Sequence, residues 1–381
     1  MNTKELGEIR RRIAPGKCSI TRIYSCYVNS EKKIISCPEA SFGLMTNEEA
    51  ETFFGLLKKP LSGVRGRNLR ELSFPTSEVA EGDAHRLLTS LLRTKLEDEA
   101  LRAEFFGRVI ETLESDGSNH LILLAMDTYD VPFRSSDGET LSDSSETVYR
   151  YLLSAVCPVR SGKPELGYDS SEEAFHSRTV TQLVEEPSLG FLFPAFDGRM
   201  PNLYGALFYT KDPAQKHEAF VGRIFHMEPG MSAPEQKETF SGVLAGSLGE
   251  DCSFDVVRRL HEDVRERLQL HKESKVPDAL ELSAEDVGGI LRESGVPEEK
   301  IALFREKCAE SFGEDAPLDP TTVMESRRFE VLTPMVKISV APEFSSRIEA
   351  RFFGGRKYLL IPADEGVEIN GVACRIEISE E

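Results

Sequence analysis

Asp127 and Asp130 stand three residues apart, where the apolar run His120-Leu-Ile-Leu-Leu-Ala-Met126 gives way to Asp127-Thr-Tyr-Asp130. Carboxylates beyond the carboxyl end of a strand can hold Mg²⁺ or Mn²⁺, or take a proton as a general base. A spacing of three would put them on opposite faces of a continuing strand, so a turn is needed to bring them together. The competing expectation is that each simply caps a turn, as Asp often does. Downstream, Phe175-His-Ser-Arg178 places His176 and Arg178 on one face of a strand. There the imidazole can act as acid or base and the guanidinium can clamp a phosphate or carboxylate; a structural His beside a surface Arg reads the same way. Asp197-Gly198-Arg199 reads first as a bend between two strands, and second as a loop that brings an acid and a cation to one rim. Asp127, Asp130, His176, Arg178 and Asp197 are thus the candidate catalytic set of a hydrolase acting on a phosphorylated substrate.

A second kind of chemistry is phosphate neutralisation. Lys58, Lys59, Arg65, Arg67 and Arg70 surround Gly63 and Gly66, and they form the candidate nucleic-acid-binding loop. No aromatic residue interleaves them, so base stacking is not signalled, and a solvated loop is the plainer account.

Familiar signatures are missing. There is no Gly-x-Gly-x-x-Gly and no Gly-x-x-x-x-Gly-Lys-[Ser/Thr]. Gly246-Ser-Leu-Gly249 has the wrong spacing for a nucleophile elbow. His217-Glu218 and His261-Glu262 each lack the second His one turn later that a zinc-binding helix needs. No motif names a cofactor or a resident metal.

The elements that must position these residues follow from pattern. Thr3–Ile13 is expected as a helix ending in Arg10-Arg-Arg12, and Ser19–Asn29 with Lys33–Ser36 as a hairpin. Thr46-Asn-Glu-Glu49 is a capping box opening a helix to about Lys58. Amphipathic helices are expected over Asp83–Leu96 and Glu97–Glu114. Strands follow near 120–126, 148–156, 189–193 and 203–209, with polar loops at Ser135–Ser145 and Arg160–Ser171. From Ser232 the pattern is helical. Phe254, Val257, His261, Val264, Leu268 and His271 form an expected apolar stripe; Ser283–Glu293 and Pro297–Phe312 are further helices, and Asp315–Pro320 a linker. The tail is β-rich, with Asn370-Gly371 the strongest turn signal in the chain. The expected class is α+β: a mixed sheet region over 1–228, with a basic head at 1–75 and a central block at 118–228; a helical segment over 232–314; and a small β-rich domain over 325–381.

Composition bounds the rest. The 381 residues are 40% hydrophobic and 29% charged, as in an ordinary globular protein. The longest apolar run is far below the ~20 residues of a membrane helix, and no secretory signal is visible. Seven scattered cysteines without a Cys-x-x-Cys pair argue for reduced thiols in the cytoplasm. The net charge of −19 conceals a basic head: residues 1–75 hold 13 Lys and Arg against 8 Asp and Glu, a balance of +5. An anionic partner for residues 1–75, RNA or the ribosome, is therefore expected, against the alternative that head and body simply attract or solvate their own charges.

Several stretches stand out together: Glu8-Ile-Arg-Arg-Arg12, Cys26-Tyr-Val-Asn29, Leu123-Leu-Ala-Met-Asp-Thr-Tyr-Asp-Val-Pro132, Phe175-His-Ser-Arg178, Gly190-Phe-Leu-Phe-Pro-Ala-Phe-Asp197 and Arg356-Lys-Tyr-Leu-Leu-Ile-Pro-Ala-Asp364. With them the chain resembles a bacterial family of unknown function found mainly in anaerobic Gram-positive bacteria. The resemblance spans nearly the whole chain. It implies a bacterial cytosolic protein with one continuous architecture, and it transfers no catalytic residue. The functional expectation is a non-catalytic cytosolic binding or regulatory protein, with the hydrolase as the rival class.

Overall fold

Capping chemistry sets the first elements. A computed structural model gives the fold. It describes residues 1–381 apart from 115–116, 135–139, 163–164, 170, 179–181, 275, 277–279, 315, 325–327, 365, 370 and 376–381. For 133–134, 140–146, 165–167, 169 and 177–178 it describes the backbone only. Helix α1 (Thr3–Arg12) begins where the Asn2 side chain accepts from the Glu5 N–H and the Glu5 carboxylate accepts from the Asn2 N–H. Its last turn carries Arg10, Arg11 and Arg12 at the negative end of the helix dipole. Strands β1 (Arg22–Val28) and β2 (Ile34–Ser36) form the expected hairpin, and β3 (Glu39–Ser41) also pairs with β1. Helix α2 (Asn47–Lys58) starts from the Thr46–Glu49 capping box. Then come β4 (Leu69–Ser73), α3 (Thr76–Glu81), α4 (Asp83–Arg93) and α5 (Glu99–Thr112).

The chain then lays down the long antiparallel pair β5 (Asn119–Arg134) and β6 (Thr140–Arg160). Next are the hairpin β7 (Glu165–Asp169) and β8 (Ala174–Arg178), the short β9 (Leu183–Val184), β10 (Leu189–Phe193), the hairpin β11 (Ala195–Asp197) and β12 (Met200–Asn202), β13 (Gly205–Thr210) and α6 (Glu218–Phe225). One nine-stranded sheet, ordered β2-β1-β5-β6-β10-β13-β4, with β3 added on β1 and β9 on β6, organises residues 1–233. Its strand pairings are antiparallel.

Both sheet faces are covered. Ile122, Leu124, Leu152, Phe191, Phe193 and Phe208 pack with Leu88 and Leu91 of α4, Phe105 and Val109 of α5 and Phe220 and Phe225 of α6. On the opposite face Leu123, Ala125, Tyr149, Tyr151 and Leu153 pack with Leu6 and Ile9 of α1 and Phe54 and Leu57 of α2. A strand buried on both sides needs no polar alternation, which is why 121–125 reads as one apolar run.

Three expectations change here. Asp127 and Asp130 do not follow the end of a strand, because β5 runs on through both to Arg134. Pairing with β6 sustains it, from Asp127 opposite Tyr151 to Arg134 opposite Thr140, overriding the turn preference of Asp. The loop expected at 135–145 shortens, since β6 already starts at Thr140; 135–139 lie outside the described residues. The loop expected from Arg160 to Ser171 contains β7.

Residues 234–381 form a second compact unit. Helices α7 (Ala233–Leu248), α8 (Phe254–Ser274), α9 (Ala284–Glu293), α10 (Glu298–Phe312) and α11 (Pro320–Val323) enclose Phe240, Leu244, Leu260, Ile290, Leu291 and Phe304. The buried stripe of α8 is Val256, Leu260 and Val264. Val264 belongs to the stripe read from sequence, and Leu268 of that stripe is partly buried against the same core. Phe254 and His261 lie to one side, with their rings edge-on to Phe329 at 6.2 and 5.7 Å. The expected linker at 315–320, of which 315 lies outside the described residues, is tied down at Leu318, which is buried and exchanges backbone hydrogen bonds with Leu282 at 2.8 and 2.9 Å. The tail forms three separate hairpins: β14 (Phe329–Leu332) with β15 (Lys337–Val340), β16 (Glu349–Phe353) with β17 (Arg356–Leu360), and β18 (Val367–Ile369) with β19 (Val372–Cys374). In the last, Ile369 faces Val372 across a two-residue connection; Gly371 has φ +85°, and Asn370 lies outside the described residues. The architecture is α+β. No helix among the described residues is long and apolar enough to cross a membrane.

Candidate functional site

Asp127 is fully buried and ties α1 to the sheet. Its Oδ1 accepts from the Ser19 N–H (2.7 Å), the Ser19 hydroxyl (2.8 Å) and the Thr128 N–H (2.9 Å). Its Oδ2 accepts from the Tyr151 hydroxyl (2.6 Å) and from Nη2 and Nε of Arg12 (3.2 and 3.4 Å). A buried carboxylate persists only when so satisfied. Burial and the adjacent Asp127 charge push the Tyr151 hydroxyl well above its ordinary pKa, which keeps it a donor. Arg12 also lies 4.0 Å over the Tyr129 ring. The Tyr129 hydroxyl donates to Glu8 at 2.6 Å, and Glu8 in turn pairs with Arg199. This network closes the space beneath α1 and leaves Asp127 no free lone pair for a proton in transit.

An open cleft lies beside the network, across the sheet. It measures about 410 Å³ and is built by three strands and one turn. From β1 come Arg22 and Tyr24, two residues apart and therefore on one face. Met126 and Thr128 of β5 follow the same rule, and Arg150 of β6 is the register partner of Thr128. The turn between α4 and α5 supplies Lys95, Leu96 and Glu97; Lys95 and Leu96 both take left-handed backbone, at φ +55° and +62°. The Leu96 N–H reaches back to the Leu91 carbonyl at 3.0 Å, and Arg102 holds the Leu96 carbonyl while stacking 4.2 Å over the Tyr24 ring.

The lining is cationic and amphipathic. Arg22, Lys95 and Arg150 face a single carboxylate, Glu97. Arg22 is partly engaged by Glu39 at 3.0 Å, whereas Lys95 and Arg150 have no ion-pair partner among the described residues. Hydroxyls of Thr21 and Thr128 add neutral donors, and Tyr24, Met126 and Leu96 give an apolar floor. Ser19 and Thr128 bond Asp127 as well, so the buried network sets one rim of the cleft.

Of the five candidate catalytic residues, Asp127, Asp130, His176 and Asp197 do not line this cleft. Asp127 is buried in its network, and Asp130, three residues on, is exposed. His176, on the β7–β8 hairpin, is exposed and 2.8 Å from Glu172, while the Arg178 side chain lies outside the described residues. Asp197 is exposed at the end of β11, where Gly198 and Arg199 form the two-residue bend at φ +56° and +60°. Arg199 is spent on Glu8 and on the Pro132 carbonyl at 3.0 Å.

The basic loop is partly committed. Arg70 is buried and donates to the carbonyls of Pro213 (2.9 Å) and Gln215 (3.1 Å). Arg65 pairs with Glu71 at 2.9 Å and Lys59 with Glu186 at 2.8 Å. Lys58 and Arg67 have no ion-pair partner among the described residues. The cations that sequence patterns missed are Arg22, Lys95 and Arg150. Nothing local marks them, since Arg150 meets Thr128 only through strand register and Lys95 turns left-handed without a Gly.

Residues 1–372 match the family described as Domain of unknown function (DUF4317). No curated protein matches the sequence. With nearly the entire chain covered, the protein belongs to this family.

Proposed function

We propose that this chain is a non-catalytic cytosolic binding protein that takes an anionic, phosphate-bearing ligand in the cleft between β1, β5, β6 and the α4–α5 turn. One observation carries the reading: Arg22, Lys95 and Arg150 meet one carboxylate in a cleft of about 410 Å³. That size suits a small molecule, and an amphipathic floor under clustered cations suits a phosphate attached to a flat or apolar body. Arg22, Thr21 and Tyr24 come from the basic head, so the cleft gives the +5 balance of residues 1–75 a specific place to act. The scattered, free cysteines support a reducing, cytosolic setting.

Titration calorimetry at low salt tests it, with a panel of nucleoside phosphates, inorganic phosphate and short single-stranded RNA. A nucleoside phosphate should bind, and Lys95→Ala combined with Arg150→Ala should weaken it at least ~100-fold, since each lost charge-assisted bond is worth roughly 1.5–3 kcal/mol. Equal affinity in the double variant, or no binding by any nucleoside phosphate, refutes the cleft. RNA bound with steep salt dependence and lost in Lys58→Ala with Arg67→Ala would move the anionic partner to the basic loop instead. Arg70 is unsuitable for that comparison, because its buried guanidinium holds the 213–215 segment.

A further inference from the structure

We infer that Glu78, Asp83 and His226 form a binding site for a divalent transition ion of the Zn²⁺ class. The three residues come from α3, the first turn of α4 and the C-cap of α6. The Nδ1 atom of His226 lies 3.2 Å from Asp83 Oδ1 and 3.5 Å from Glu78 Oε2. One ligand atom from each residue falls within 4.8 Å of the other two. An ion about 2.0–2.1 Å from each ligand in tetrahedral geometry spaces its ligands roughly 3.3–3.4 Å apart, so the two imidazole separations already match.

The second oxygens of the carboxylates carry the argument further. Glu78 Oε1 accepts from the His85 N–H at 3.3 Å, and Asp83 Oδ2 accepts from Arg108 at 2.8 Å. Each carboxylate is thus anchored from behind by a donor outside the trio, and its free oxygen is turned toward the imidazole. Metal sites orient their ligands through such outer partners. Arg108 is itself neutralised by Glu104 at 2.6 Å, so its charge does not cancel that of the two ligands. The backbone makes room as well: a Cβ on Gly82 would stand 2.0 Å from the Glu78 carboxyl carbon. Only Gly at this position lets the carboxylate lie flat against the turn and reach toward Asp83.

One nitrogen and two carboxylate oxygens suit Zn²⁺ better than Mg²⁺, which keeps an oxygen shell. The side chains of Asp83 and His226 are 42% and 35% exposed against 13% for Glu78, so the site has an entry path and room for a water as fourth ligand. With no ion the same geometry is an imidazole set between two carboxylates, and the experiment must separate these two states. The trio is independent of the anionic cleft: Asp83 stands at the far end of α4 from Lys95, roughly 17 Å along the helix axis.

The full-length chain, stripped with chelator, is titrated at neutral pH with Zn²⁺ alone and, separately, with Mg²⁺ alone, beside His226→Gln and Glu78→Gln. The wild type should bind one equivalent more than either variant, and zinc X-ray absorption of that equivalent should show a nitrogen and oxygen shell. Equal stoichiometry in all three proteins overturns the site. So does a sulfur shell, which would assign the ion to cysteines. Mg²⁺ binding in place of Zn²⁺ overturns the ion class. Circular dichroism of both variants establishes that they fold; if His226→Gln does not, Glu78→Gln alone carries the comparison.

Discussion

Asp127 shows how a residue with the right chemistry for a catalyst can be consumed by structure. All six of its hydrogen bonds come from groups distant in sequence or from its own neighbour Thr128. Asp127→Ala should destabilise the chain by about 3 kcal/mol or more, because Arg12 and Tyr151 lose their buried acceptor. Tyr151→Phe removes a single donor and should cost about 1–2 kcal/mol. Urea unfolding measures both; an unchanged midpoint for Asp127→Ala would exclude the network as a structural tie. His217 supplies a pH-dependent term. Burial lowers its pKa below the ordinary imidazole value of 6.5, with Arg70 adding to the effect. Its neutral form accompanies folding, so its contribution is fully present above 6.5 and is lost as pH falls through the depressed folded value. Melting temperature should therefore decline as pH falls below about 6.5, before most carboxylates titrate. His217→Gln should flatten that decline, and parallel curves for the two proteins would dismiss it.

At the scale of elements, helix starts were the most legible feature. Asn2, Thr46 and Ser283 each make the capping box that their neighbours spell out. The α8 stripe was placed correctly only at Val264 and Leu268, because two sets of apolar residues interleave on that helix and the sequence does not say which one is buried. Strand length was also hidden, since Ser, Asp and Thr in 140–147 signal a loop until β5 is there to pair with them. Close packing between elements was invisible altogether. Gly190 in β10 lies so near β6 that a Cβ would stand 2.5 Å from the Ser154 carbonyl oxygen and 2.6 Å from the Pro60 ring. Gly190→Ala must push a strand or the 59–61 turn aside, and we expect a loss of about 1–3 kcal/mol. Denaturant unfolding checks this, and a stability equal to wild type would show that β10 moves freely.

For the whole molecule, the division into residues 1–233 and 234–381 follows the cores. The first unit buries two apolar layers on the two faces of one sheet, and the second encloses its own helical core. A chain of residues 234–381 should therefore retain helical circular dichroism and melt cooperatively. Loss of both would show that this unit depends on the first.

The sequence by itself determined the α+β class, most helix starts, the hairpin at β1–β2 and the strong turn before β19, because caps, turns and periodicity are local chemistry. It also marked the basic head and the scattered thiols, because these are matters of composition. Only the tertiary structure decided what the polar residues do. Asp127 became a buried tie when α1 and β6 brought Arg12 and Tyr151 to it, 115 and 24 residues away in the chain. Arg22, Lys95 and Arg150 became one cleft, and Glu78, Asp83 and His226 one cluster, by the same kind of convergence. Such groupings depend on strand register and helix docking. Those are settled by burying both faces of the sheet at once, a global condition that no short stretch of the chain encodes.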